Sequence, residues 1–190
     1  MPDAGRVIAG TARGLRLEAP GTGTRPIGDR VKQTLFAILE PDLPGARVLD
    51  LFAGSGAAGI EALSRGAAGA VFVERDPGAC SVITANLART RLAGPSVRVV
   101  RADALVWLAG SAALEAGPFD LAIADPPYDD PTLLDRALGS LGLLLAPRAR
   151  VVAKHFWRDR PPPAVGLLAS ERERRFGETT LTFYRRQEIR

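Results

Sequence analysis

Arg47-Val48-Leu49-Asp50-Leu51-Phe52-Ala53-Gly54-Ser55-Gly56-Ala57-Ala58-Gly59 passes from a short apolar strand into a glycine turn, then into a helix carrying Ile60, Leu63 and Ser64. The spacing Gly54-x-Gly56-x-x-Gly59 lets a backbone turn tightly and approach a ligand at a helix N-terminus. Taken alone, it also fits glycines needed only for a tight strand-to-helix turn. The alternation continues outward. Ala70–Glu74 reads as a second strand, with a helix from about Pro77 to Arg91. Val97–Arg101 is a third, followed by a short helix near Leu105–Leu108. Phe119–Ala124 is a fourth, with a helix over Thr132–Leu141, and Arg150–His155 is a fifth. Pro161-Pro162-Pro163 breaks the chain, and Gly166–Arg175 and Thr180–Arg185 read as two strands joined around Gly177. Repeated βα units with short apolar strands require a parallel sheet covered on both faces. Ending on a hairpin is unusual for a nucleotide-binding dehydrogenase.

Ahead of the sheet, Arg6–Gly10 and Leu15–Ala19 read as a hairpin around a glycine-containing turn. A loop from Pro20 to Pro26 leads to a helix from about Arg30 to Leu39, with Asp29 as its cap and Val31, Leu35, Phe36 and Leu39 on one face.

Three carboxylates fall at the C-terminal ends of successive strands and so converge on one crevice: Asp50, Glu74 and Asp103. Each alone fits a solvated or helix-capping role as well, and it is their co-location that points to a ligand. Glu74 stands 20 residues beyond Gly54, where an acid binds a ribose diol in either NAD or S-adenosylmethionine. Asp50 favours the methyl donor, because it can meet an ammonium and a sulfonium but would repel a pyrophosphate. Asp103 can accept a hydrogen bond from an adenine amino group. Phe52, Ala53, Gly54, Ser55 and Gly56 of the turn, with Arg75 and Ala104 beside the second and third acids, complete the expected cofactor contacts.

Asp125-Pro126-Pro127-Tyr128 follows the fourth strand. Two prolines there could simply stop a strand, but the tetrapeptide also suits methylation of an exocyclic base amine. Such a nitrogen is a poor nucleophile, its lone pair being delocalised into the ring. If an Asp125 oxygen and the Pro126 carbonyl accept its two hydrogens, the lone pair is freed. Pro126 and Pro127 keep the acceptors rigid, and Tyr128 offers a ring for base stacking, worth roughly 1–3 kcal/mol. This chemistry needs no metal. A base held within a helix has to be flipped out to reach the slot.

Charge is distributed unevenly. Residues 1–35 carry six Arg/Lys against three acids, residues 36–146 eight against thirteen, and residues 147–190 eleven against five. Basic ends flanking an acidic centre suit a polyanion gripped at the rim of a catalytic domain, although arginine-rich ends also serve solubility. Arg13, Arg16, Arg25 and Arg30 are the expected phosphate contacts. Only Lys32 and Lys154 among the 25 basic residues are lysine. The single cysteine, Cys80, allows no intrachain disulfide or cysteine metal cluster and is expected to be buried and inert. His155, the only histidine, reads as a structural or rim residue rather than a general base, Trp107 and Trp157 as packing rather than base stackers, and Phe156-Trp157 near Lys154 as able to line an RNA entrance. The opening Met1–Arg6 has no apolar region of a leader, and no stretch nears the ~20 apolar residues of a membrane span. A cytoplasmic, monomeric protein with no membrane association is the expectation.

Several segments closely resemble the bacterial 16S ribosomal RNA (guanine-N2)-methyltransferases of the small-subunit methyltransferase D family, which modify guanine 966. Arg6–Gly10 with Arg13-Gly14 resembles that family's N-terminal hairpin, and Arg25–Phe36 its segment before the sheet. Val48–Gly56 followed by Gly59-x-Glu61-Ala62-Leu63-Ser64-Arg65-Gly66-Ala67 is similar to its cofactor motif. Ile27, Ala9 and Gln33 depart from the family pattern, away from the acids of the site. The resemblance covers about Arg6 to Tyr184. It implies an α/β, Rossmann-like class I S-adenosylmethionine methyltransferase fold, a seven-stranded mostly parallel sheet whose last strand is antiparallel. Residues 1–26 would be a hairpin extension that contacts RNA, and residues 27–190 the catalytic domain. The implied substrate is 16S rRNA within a partly assembled small subunit, and the implied cofactor is S-adenosylmethionine. Three alternatives stand beside it: a DNA adenine-N6 methyltransferase, disfavoured by the lack of an added recognition domain; an NAD-dependent oxidoreductase, which gives Asp125–Tyr128 no purpose; and a catalytically silent RNA-binding or assembly factor.

Overall fold

The computed structural model describes residues 3–21, 28–128 and 130–188. The chain opens with two short antiparallel strands, β1 (Asp3–Arg6) and β2 (Arg16–Glu18). The first arm lies ahead of the expected Arg6–Gly10, and the reason is in the side chains that meet it. Ile8 and Ala9 donate their backbone N–H groups to the Glu61 carboxylate, at 2.7 and 3.1 Å, rather than to a strand partner. Ala12 N–H donates to Ser64 Oγ, which itself donates to the Ala9 carbonyl. Gly10 crosses here at φ +84°, where a Cβ would sit 1.7 Å from the Ser64 carbonyl oxygen, so no larger residue fits.

Helix α1 (Asp29–Leu39) follows, burying Leu35, Phe36 and Leu39 as the periodicity requires. Asp29 does not cap it. Gly28 occupies that position, and the Asp29 carboxylate pairs with Arg6 at 3.3 Å, joining α1 to the hairpin. Lys32 is also fully buried, its charge directed at the Arg6 carbonyl.

From there strand and helix alternate: β3 (Arg47–Leu51), α2 (Ala57–Ser64), β4 (Gly69–Glu74), α3 (Pro77–Thr90), β5 (Val97–Arg101), α4 (Ala104–Leu108), α5 (Ser111–Ala116), β6 (Phe119–Ala124), α6 (Pro131–Leu141) and β7 (Leu145–Phe156). The chain ends in β8 (Ala164–Val165), β9 (Leu168–Phe176) and β10 (Thr179–Arg186). One sheet has the order β5-β4-β3-β6-β7-β10-β9-β8. β3 to β7 run parallel, and β10, last in the chain, inserts antiparallel between β7 and β9. This is the expected seven-stranded arrangement with a two-residue edge strand, β8, added. Two elements differ from the sequence reading. The short, alanine-rich α5 lacked enough apolar periodicity to be seen, and β7 begins five residues before Arg150.

Two apolar layers cover the sheet. One joins the hairpin, α1, α2 and α3 to Val48, Phe72, Leu121, Ile123 and Val152. The other joins the α4–α6 side to Leu49, Leu51, Ala122, Ala124, Val151 and Ala153. Side chains alternate along a strand. Counting on from Val48, Phe72, Ile123 and Val152 puts Asp50, Glu74, Asp125 and Lys154 on the first face, all at the C-terminal edge of the sheet.

Candidate active site

The turn after β3 is built from left-handed backbone. Phe52, Gly54 and Gly56 have φ of 62°, 56° and 75°, and for Phe52 this conformation costs of order 1 kcal/mol or more, as is common at ligand-binding turns. Gly59 permits the closest approach: a Cβ there would lie 2.3 Å from the Phe72 ring and 3.1 Å from Asp50 Oδ2. Its N–H donates to Asp50 Oδ2 at 2.8 Å. Asp50 is 2% exposed. Burial pushes its carboxyl up to about 8, the Gly59 N–H opposes the rise, and the charges of Asp125 and Glu74 add to it. At neutral pH the group therefore holds its proton until a cation is placed beside it.

Glu74 is tied at both oxygens, accepting from Gly54 N–H and from Asp76 N–H, each at 2.9 Å. It thereby links the β3 turn to the β4 turn. Asp103 caps α4, its Oδ1 accepting from Leu105 N–H and Val106 N–H. Asp50, Glu74 and Asp103 all line one cavity of about 530 Å³. Its wall also includes Phe52, Ala53, Gly54 and Ser55 from the turn, with Arg75 and Ala104. Gly56 stands behind the wall as the N-cap of α2.

Asp125-Pro126-Pro127-Tyr128 lines the same cavity, following the strand next to β3. Pro126 is buried, while Pro127 and Tyr128 are exposed. Asp125 Oδ1 accepts from Lys154 Nζ at 2.6 Å, and that ammonium sits 5.1 Å from the Tyr128 ring centre. Burial pushes the Asp125 carboxyl up while the charge and hydrogen bond of Lys154 hold it back. Burial pulls Lys154 down, and Asp125, aided by Tyr128, more than restores it. The two form an ion pair with little water around it. Tyr128 is 41% exposed, leaving ring surface for a second aromatic. From it an aromatic line runs to Phe156, 6.3 Å away, and on to Trp157, a further 6.1 Å. The guanidinium groups of Arg158 and Arg175 lie over Trp157 at 4.7 and 4.2 Å.

Lys154 is the site residue that sequence reasoning missed. The signal was available, since it ends the apolar run of β7 as Asp125 ends that of β6, and it is one of two lysines in the chain. The expected phosphate contacts are placed less tightly. Arg13 is exposed on the hairpin turn, beside Ser64 and at the far end of α2 from Gly56. Arg16 is exposed and paired with Asp3, Arg30 is exposed on the first turn of α1, and none of the three lines the cavity. Arg25 falls outside the described residues. His155 is buried, its Nδ1 bonded with the Phe156 carbonyl and its Nε2 with Thr182 Oγ1, which suits the structural role expected of it. Trp107 is buried against Phe119. Cys80 is partly exposed rather than buried, and burial, with the Glu74 charge, pushes its thiol up.

Comparison with known proteins fits this arrangement. The family model described as "Conserved hypothetical protein 95" matches residues 5–185. YlbH of Bacillus subtilis (strain 168), which carries an rRNA methyltransferase name, is 39% identical over 186 residues, covering 96% of this chain and 99% of its own length. Ribosomal RNA small subunit methyltransferase D of Escherichia coli (strain K12) is 36% identical over 185 residues, covering 96% and 90%. The solved structure of Escherichia coli yhhF superposes with a TM-score of 0.84 at 34% identity, covering 96% of this chain and 97% of that one. The fold is that of the class I S-adenosylmethionine methyltransferases, and the chain belongs to the conserved hypothetical protein 95 family, among whose relatives is ribosomal RNA small subunit methyltransferase D.

Proposed function

We propose that this protein transfers a methyl group from S-adenosylmethionine to the exocyclic N2 amine of a guanine in 16S rRNA, of the guanine 966 type, during small-subunit assembly. The observation that carries the reading is that the Asp125 carboxylate and the Pro126–Tyr128 turn line the same cavity as Asp50, Glu74 and Asp103.

The chain suits the cofactor on its own geometry. For a carboxyl as deeply buried as Asp50 the single Gly59 N–H does not offset burial, and a cation beside it would stabilise the anion; the donor's ammonium and sulfonium supply one. Glu74 at the mouth of the glycine turn has the acceptors for a ribose diol, and Asp103 with Ala104 borders the place for an adenine. When bound, the cofactor provides an electrophilic sulfonium methyl. The protein's own residues do the rest. Asp125 and the Pro126 carbonyl accept the amine's hydrogens and turn its lone pair outward, Tyr128 stacks on the base, and the prolines keep both acceptors in place. Lys154 favours the ionised form of Asp125 against the push of burial, and an anion accepts more strongly than a neutral acid.

RNA reaches this slot over a basic, aromatic rim. Phe156 and Trp157, with Arg158 and Arg175 on the ring of Trp157, border Tyr128 and form one flank. Arg13, Arg16 and Arg30, exposed but outside the cavity wall, take phosphates farther from the slot, and Arg25 is a further phosphate contact. The protein works as a monomer in the cytoplasm, on RNA already partly coated by ribosomal proteins. A DNA adenine-N6 methyltransferase would use the same slot, but the relatives named for an rRNA substrate favour RNA. Incubation with labelled S-adenosylmethionine and small-subunit rRNA, naked and in partly assembled particles, tests the reading. Label on one guanine supports it; no labelled RNA in either form rejects it.

A further inference from the structure

The mechanism asks of Lys154 only that it keep Asp125 charged, yet its position does more. Its ammonium is 11% exposed at the side chain, lines the cavity, and sits between Asp125 Oδ1 and the Tyr128 ring on which the base would lie. Asp125 Oδ1 takes the lysine, and Oδ2 accepts no hydrogen bond among the described residues. Both side chains line the cavity, and along the carboxylate and its bond to the ammonium the order is acceptor, acceptor and donor: Oδ2, Oδ1 and Nζ. The edge of guanine runs N2–H, N1–H and O6, which is donor, donor and acceptor, with neighbouring atoms about as far apart as the two oxygens of a carboxylate. With the reactive amine on Oδ2, N1–H meets Oδ1 and O6 meets the ammonium. The second N2 hydrogen is left for the Pro126 carbonyl. Adenine in the same place would set its N1 lone pair against a carboxylate oxygen, leaving a buried polar group unpaired. Lysine is also uncommon here. The chain uses arginine for all but two of its 25 basic residues, and both lysines are directed inward onto oxygen acceptors, Lys32 onto the Arg6 carbonyl and Lys154 onto Asp125 with Tyr128 beside it. A compact point charge fits such a place, where a planar fork would not.

We infer that Lys154 reads O6 of the target guanine and, with the Asp125 carboxylate, selects guanine over adenine. This rests on the guanine-N2 reading of the site.

The test pairs a side chain with an atom of the base. Once the target position is mapped, it is replaced by 2-aminopurine, which keeps the reactive amine but lacks O6 and N1–H. Transfer to both RNAs is measured with the unaltered protein and with Lys154→Met, each at the alkaline plateau of its pH profile so that Asp125 is ionised throughout. The unaltered protein should prefer guanine by about tenfold to a hundredfold, the range for a hydrogen bond to a charged group together with the N1–H contact. Lys154→Met should narrow that preference at least several-fold by losing rate chiefly on guanine. Equal losses on both bases would overturn the inference and leave the proposed function standing, since a lysine that serves only Asp125 cannot tell the bases apart. If the methionine variant does not fold, the unaltered protein still decides: equal transfer to guanine and 2-aminopurine overturns the inference. No transfer by the unaltered protein to guanine in either RNA form would reject the proposed function itself and this inference with it.

Discussion

Asp50 and Asp125 end neighbouring parallel strands and face the same cavity, yet among the described residues only Asp125 has a cation beside it. Asp125 has Lys154 at 2.6 Å; Asp50 has only the Gly59 N–H and two nearby carboxylates. One acid has a cation of the protein's own beside it before any ligand arrives, which opposes the upward push of burial and suits an acceptor for an amine. The other is pushed up to about 8 and stays neutral until a cation displaces its proton, which suits a sensor of a positively charged cofactor. Burial raises both; what differs is who supplies the counter-charge, the protein or the ligand.

The sharpest way to break this contrast is Asp125→Ala. Methyl transfer should fall by about 10²–10³-fold, the range for removing one preorganised group at a reacting centre. Cofactor affinity, measured by calorimetry, should stay within about threefold, and a comparable loss of cofactor binding would mean that the two acids do not divide the work.

Glu61 sharpens the contrast from outside the cavity. It is as deeply buried as Asp50 but serves structure alone, holding Ile8, Ala9 and Arg65. Glu61→Ala should cost about 3–5 kcal/mol, the range for breaking a buried charged pair, as read by denaturant unfolding. Amide exchange should accelerate first in residues 8–12. Uniform acceleration across the sheet would show that the hairpin is not a separately docked unit.

Third in size is the titration of Asp50. Below about pH 8 the free protein holds a proton there, and a cationic ligand favours the ionised form. Binding of S-adenosylmethionine should therefore release a proton, and affinity should rise by up to tenfold per pH unit until about pH 8, then level off. Calorimetry in buffers of different ionisation enthalpy measures the released proton. Asp50→Asn should flatten the slope, and an unchanged slope would place the titrating group elsewhere.

The smallest effect is on the acid limb of the transfer profile. Asp125 must be ionised to accept the amine's hydrogens, so activity falls as pH drops through its titration. Lys154 restrains the upward push of burial, and Lys154→Met should move that limb to higher pH. Movement to lower pH would contradict the ion pair.

Much of this was legible in the sequence. The alternation from β3 to β7, the glycine turn and the strand-end acids are local patterns, and apart from α5 and the early start of β7 the elements form close to where their apolar runs place them. The hairpin was read only in part, because its first arm is ordered by Glu61 and Ser64, more than fifty residues away. The run from Gly59 to Ala67 looked like one cofactor motif. Gly59 serves the site through Asp50, whereas Glu61, Ser64 and Arg65 belong to the hairpin dock. Lys154 escaped notice because its meaning depends on β6 and β7 being neighbours, a pairing that no local pattern states.

The central claim is that Asp125 presents a base amine of rRNA to a methyl donor held over Asp50, and nucleoside analysis of the product tests it most directly. Small-subunit rRNA is incubated with labelled S-adenosylmethionine and either the unaltered protein or Asp125→Ala at saturating cofactor, then digested and separated. The expected result is labelled N2-methylguanosine from the unaltered protein and close to none from the variant. Label on a ribose or a ring nitrogen, or label undiminished in Asp125→Ala, would contradict it.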